Sequence, residues 1–136
     1  MAQRPRKAVI FGCAGEKLTE AEKAFFTESQ PWGFILFARN CADAGQIRNL
    51  CAELRETVND PAAPVLIDQE GGRVARLRPP LAPARPPMDR FGALYKLDPA
   101  RGEESAFLGA RLIAEDRFEI GVNVNCVPVL DVPQPG

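Results

Sequence analysis

Pro64-Val65-Leu66-Ile67-Asp68-Gln69-Glu70-Gly71-Gly72-Arg73-Val74 decides how this chain folds. An apolar run stops abruptly in two carboxylates, a glycine pair and an arginine. That is how an α/β protein presents chemistry at the edge of its sheet: the strand holds the backbone rigid, and the residues just past it point at a ligand with little freedom. Packing alone gives no reason to place Asp-Gln-Glu there.

Outward from this segment, strands and helices alternate. Lys7 to Cys13 reads as a buried apolar strand. Thr19 caps a helix, with Glu22 three residues on to complete a capping box, and Pro31 stops it after Ser29. Gly33 to Phe37 is a second buried strand, ended by Ala38-Arg39-Asn40. Asp43 and Gln46 repeat the capping logic. Ile47, Leu50, Cys51, Leu54 and Val58 then form one apolar stripe at helical spacing, the clearest periodicity in the chain. Val65 to Ile67 is the third strand. A proline-rich loop from Pro79 to Pro87 cannot be regular, because each proline removes a donor and biases its predecessor towards extended backbone. Asp98-Pro99 opens a helix that runs to about Ile120, where Gly121 supplies the stop, and Val122 to Val127 alternates as a fourth strand. Gly109 within that helix suits close packing on the sheet.

The order β-α-β-α-β-α-β implies parallel strands joined by right-handed crossovers. Two architectures fit: an open doubly wound sheet, or a slice of a (β/α)8 TIM barrel. A complete barrel takes roughly 200 residues or more, so 136 residues would supply only its first half.

Composition narrows the function. With 46% apolar and 26% charged residues the chain is globular, and its net charge of −1 argues against a nucleic-acid partner. No apolar stretch approaches the roughly 20 residues of a membrane span. Arg4, Arg6 and Lys7 before Ala8 to Cys13 resemble a lipoprotein signal, but the apolar part is too short, so a strand and a cytoplasmic protein are expected. The 4 cysteines are scattered and suit small buried hydrophobes in a reducing compartment. The absence of histidine excludes Ser-His and Cys-His nucleophiles within these residues and leaves a zinc site without its usual ligands. Gly12 and Gly15 are wrongly spaced for a dinucleotide loop, and no P-loop is present. No cofactor is expected.

Asp68 and Glu70 suit a carboxylate that accepts hydrogen bonds from sugar hydroxyls, with Arg73 or Arg76 restraining it. They suit equally a salt-bridged turn in which the glycines provide positive φ. Two carboxylates without further acidic partners make a poor metal cage. Asp131, after Val129-Leu130, is either a second polar group at the same rim or a local cap. Asn123 and Asn125 would line a barrel interior, where their amides need partners.

In order and spacing, Gly33 to Phe37, Ile67 to Arg76, Phe91-Gly92-Ala93-Leu94 and Pro128-Val129-Leu130-Asp131-Val132 resemble the amino-terminal part of bacterial β-N-acetylhexosaminidases of glycoside hydrolase family 3. The resemblance implies that residues 1–136 are the amino-terminal portion of a single (β/α)8 barrel domain. It implies an enzyme that removes terminal β-linked N-acetylglucosamine with retention, the cytoplasmic members acting on anhydro-muropeptides in peptidoglycan recycling, monomeric at full length. Asp68 matches the family's sugar-binding aspartate and Arg76 a binding-site arginine; Glu70, Arg73 and Asp131 would support the site. No catalytic residue is expected here. The nucleophilic aspartate, the histidine loop carrying the acid/base, and the lysine-histidine sugar contacts have no counterpart before Gly136, so the chain alone is expected to be inert. A β-glucosidase of the same family and a non-catalytic sugar-binding or assembly module remain as alternatives.

Overall fold

The computed structural model describes residues 5–129. Four strands, β1 (Lys7–Phe11), β2 (Pro31–Leu36), β3 (Val65–Ile67) and β6 (Val124–Asn125), form one sheet in the order β1-β2-β3-β6, every pair parallel. Between β3 and β6 a short antiparallel hairpin is inserted, β4 (Gln69–Gly71) with β5 (Val74–Ala75). The helices are α1 (Glu20–Ser29), α2 (Ala44–Thr57), α3 (Met88–Leu97) and α4 (Pro99–Phe118). Spatial order follows chain order without reversal. A doubly wound sheet reverses at a switch point, so the barrel arrangement is the one adopted.

Local chemistry explains where the elements start and stop. At α1 the Thr19 hydroxyl accepts from the Glu22 N–H, and the Glu22 carboxylate accepts from the Thr19 N–H at 2.9 Å. Gln30 closes the helix in the left-handed region, φ 48°, and Pro31 starts β2. Asp43 caps α2 by accepting from the Gln46 N–H at 2.8 Å, but the reciprocal bond shifts by one residue: Gln46 Oε1 accepts from Ala42 instead. The α2 stripe Ile47, Leu50, Cys51, Leu54 and Val58 is fully buried. It packs with Phe26, Phe34, Leu36, Val65 and Ile67 into one core, so α1 and α2 cover the same sheet face. Phe34 and Leu36 alternate with Ile35, and Val65 and Ile67 with Leu66, as period-two strands require.

Several expectations need correction. β1 forms, but at the sheet's edge and largely exposed, with Ile10 at 40%. The loop over 79–87 is irregular as expected, while α3 and the β4–β5 hairpin lie on either side of it, where no element was expected from the sequence. Gly109 gives room to another helix rather than to the sheet, since a Cβ there would meet the Phe91 ring of α3. β6 has only two paired residues. Around it, side chains take over the ladder: Asn123 Oδ1 accepts from the Val65 N–H at 2.7 Å, and the Asn125 amide bonds Gln69. At the opposite end of the strands Arg55 donates to the Ala63 and Gly121 carbonyls at 3.1 and 2.8 Å, tying together the loops that enter β3 and β6. No described helix is long and apolar enough to cross a membrane.

Candidate functional site

All four sheet strands end on one rim, which therefore collects Gly12 and Cys13, Phe37 to Asn40, Asp68 and Cys126. Asp68 is the first residue past β3. Its Oδ2 accepts from Arg76 Nη2 at 2.9 Å, and the two side chains are 25% and 29% exposed. The pair is reachable from the rim without being fully solvated. The Arg76 guanidinium also lies 5.8 Å from the Phe37 ring centroid. Arg39 approaches the same ring, at 4.8 Å, and is held by an Nε–H donated to the Cys13 carbonyl at 3.2 Å. One phenyl ring thus carries two guanidinium groups beside a single carboxylate. Burial pushes the Cys126 thiol up, and the nearby Asp68 carboxylate pushes it further.

The loop that brings Arg76 back to Asp68 is fixed from inside. Gln69 is 1% exposed; its Oε1 accepts from the Arg76 and Leu77 N–H groups at 2.8 and 2.9 Å, and its Nε2 donates to the Leu77 carbonyl at 2.9 Å. The glycine pair does what the turn requires. Gly71 and Gly72 have φ of 93° and 60°, and Cβ atoms there would run into Pro86 and Pro87. The proline-rich loop therefore forms a wall against the hairpin. Gly72 donates to the Arg85 carbonyl at 2.8 Å, and Arg85 grips Asp116 of α4 through two bonds of 2.9 and 2.8 Å. Asn40, fully buried, donates to the Cys13 and Gly15 carbonyls at 3.2 and 2.8 Å and braces the loop after β1.

Of the residues singled out from sequence, Asp68 and Arg76 come together. Arg73 does not: it sits exposed in the hairpin turn, and its carbonyl accepts from Arg78. Glu70 is half-buried in β4 and pairs with no cation among the described residues. Asp131 lies outside the described residues. Phe37, Arg39, Gln69 and Cys126 join the rim without having been singled out. The parallel register that aligns them is a long-range property, although Arg39 stood just past the predicted second strand and Cys126 near the end of the predicted fourth. No group of three or more potential metal ligands forms among the described residues. A groove of about 410 Å³ lined by Arg55, Glu56, Asn59 and Asp60 lies at the other end of the strands, away from this chemistry.

A parallel, singly wound sheet whose third strand ends in a half-exposed carboxylate–guanidinium pair is the ligand-facing rim of a (β/α)8 barrel, here in part. The chain is 38% identical over 124 residues to a β-hexosaminidase of Xylella fastidiosa, covering 91% of this chain and 36% of that protein. Its fold matches the crystal structure of NagZ from Neisseria gonorrhoeae in complex with N-trifluoroacetyl-D-glucosamine, with TM-score 0.86, 31% identity, and coverage of 94% of this chain and 37% of that one. It also matches a glycoside hydrolase family 3 β-N-acetylglucosaminidase from Paenibacillus sp. strain FPU-7, at TM-score 0.77 and 30% identity over 90% of this chain and 23% of that one. No family model matches. The chain spans about 36% of the length of the curated relatives it matches. In sequence and fold it is similar to the amino-terminal part of these β-hexosaminidases, one of them of glycoside hydrolase family 3.

Proposed function

We propose that these residues form the sugar-gripping half of a β-N-acetylhexosaminidase barrel that removes terminal β-linked N-acetylglucosamine with retention. One observation carries the reading: the Asp68–Arg76 pair at the rim end of the third strand, 2.9 Å apart and partly open. A carboxylate has four lone-pair positions, and Arg76 occupies one; the others face hydroxyl donors and reject sugars lacking them. Anhydro-muropeptides fit as substrates in peptidoglycan recycling. A cytoplasmic setting agrees with four free cysteines, two of them buried.

Within this reading the bond-breaking groups lie outside these residues. Retention needs a nucleophile and a proton donor roughly 5–5.5 Å apart. Asp68 is committed to Arg76, and the sequence contains no histidine to act as a proton carrier. The rival reading, a self-sufficient sugar-binding module, requires protected sheet edges. β1 is an edge, with Ile10 at 40% exposure, which favours the barrel.

The test is turnover by the complete barrel protein. It should cleave 4-nitrophenyl β-N-acetylglucosaminide in preference to the β-glucoside, with the β-anomer appearing first by proton NMR. A preference for the glucoside, or the α-anomer appearing first, would refute the assignment.

A further inference from the structure

We infer that Gln69 and Asn125 are positioning residues for the Asp68–Arg76 pair: through them, the end of β6 sets where the two charged groups meet. The inference rests on the sugar-site reading above and adds residues to it.

Gln69 follows Ile67 and Asp68 into a fully buried position beside Leu77, where packing alone would accept leucine. Instead the chain buries an amide, which is costly unless its hydrogen bonds are met. Here they are met, and all by one segment. Oε1 takes the Arg76 and Leu77 N–H groups, and Nε2 takes the Leu77 carbonyl. The side chain thus fixes the backbone from which the Arg76 guanidinium departs.

Asn125 holds the other end. Its Oδ1 accepts from the Gln69 N–H at 3.0 Å and its Nδ2 donates to the Gln69 carbonyl at 2.9 Å, so one side chain clasps both backbone groups. One step earlier the Ile67 carbonyl accepts from the Cys126 N–H at 3.0 Å. Asp68 is therefore pinned on both flanks by β6. The connected path runs from the Asn125 amide to the Gln69 backbone, then through the Gln69 side chain to Arg76. Gln69 is inaccessible to a ligand and acts only through the groups it places.

The experiment measures kcat and KM on an aryl β-N-acetylglucosaminide for the complete barrel protein carrying Gln69→Leu or Asn125→Ala, each alone and combined with Arg76→Ala, with circular dichroism to verify folding. Each single substitution should lower kcat/KM about tenfold to a hundredfold, as misplaced binding groups do, chiefly by raising KM. In the Arg76→Ala background Gln69→Leu should cost less than about threefold, because the group its side chain positions is gone, while Asn125→Ala, which also flanks Asp68, should lose only part of its effect. Gln69→Glu, which keeps the acceptor, should retain more activity than Gln69→Leu. Full, additive losses in the Arg76→Ala background would overturn the inference, as would unchanged kinetics in folded single variants. Asn125 is only half-buried, so its variant gives a reading should Gln69→Leu fail to fold. Unchanged kcat/KM in Asp68→Ala would overturn the sugar site itself; an impaired Asp68→Ala with additive Gln69 effects overturns this inference alone.

Discussion

Removing the Asp68 carboxylate separates binding from stability, and the structure sets the size of each effect. In Asp68→Ala the Arg76 guanidinium loses its only carboxylate among the described residues, leaving the Phe37 ring 5.8 Å away and an Nε that, among those residues, is already buried without a partner. Both side chains are more than one-fifth exposed, so water re-solvates much of what is lost. The folding penalty should be about 0–1 kcal/mol, as for exposed pairs. Binding is affected more. Two hydroxyl donors to the carboxylate, at about 1.5–3 kcal/mol for each hydrogen bond to a charged group, amount to ~3–6 kcal/mol. Exposure argues for the lower end, ~3 kcal/mol, or roughly a 150-fold drop in kcat/KM. Asp68→Asn, which keeps one acceptor, should lose about half of that free energy. Steady-state kinetics on an aryl β-N-acetylglucosaminide, alongside a thermal melt, reads both effects. A variant with wild-type kcat/KM, or one whose lost activity follows unfolding alone, would refute the reasoning.

Three further outcomes follow from other parts of the fold. Gly71→Ala puts a Cβ onto Pro86 in a backbone with φ 93°, and should lower stability by about 2–4 kcal/mol in a urea titration; an unchanged midpoint would show that the proline wall yields. Arg85→Ala breaks the two-bond grip on Asp116, whose side chain is 13% exposed, and should cost about 1–2 kcal/mol while raising protease cutting within 79–87; unaltered cutting would contradict the tie. Burial pushes the Cys13 and Cys41 thiols up to about 11 and Cys51 up to about 12, against an ordinary 9.0. Unfolded thiols then ionise first, so this contribution to stability is complete below pH 9 and fades as pH rises towards 11–12. A denaturation midpoint equal at pH 8 and pH 10.5 would refute it, pH 8 lying below and pH 10.5 within that window.

What could be read from sequence was what local chemistry dictates. Thr19 with Glu22, Asp43 with Gln46, and Asp98 before Pro99 mark helix starts because side chains must meet the free N–H groups of a first turn, and each does so here. The α2 stripe was legible because burial imposes helical spacing. α3 was not: Pro87 provides no side-chain cap, and the helix buries no residue fully. The hairpin escaped for another reason. Gly71-Gly72 announces a turn, but strands of three and two residues carry no alternating pattern. At the site, Asp68 could be found from its place after an apolar run. Local pattern could not choose its partner between Arg73 and Arg76, because that depends on the hairpin's path; only the family resemblance pointed to Arg76. The clustering of Phe37, Arg39 and Cys126 depends on strand register, which joins residues far apart in the chain.

A crystal structure of the complete barrel protein soaked with N-acetylglucosamine would show whether Asp68 grips the sugar. Sugar hydroxyls should lie within about 3.2 Å of the Asp68 carboxylate, with Arg76 still paired to it. A sugar bound elsewhere in the barrel mouth, with Asp68 and Arg76 untouched, would contradict that expectation.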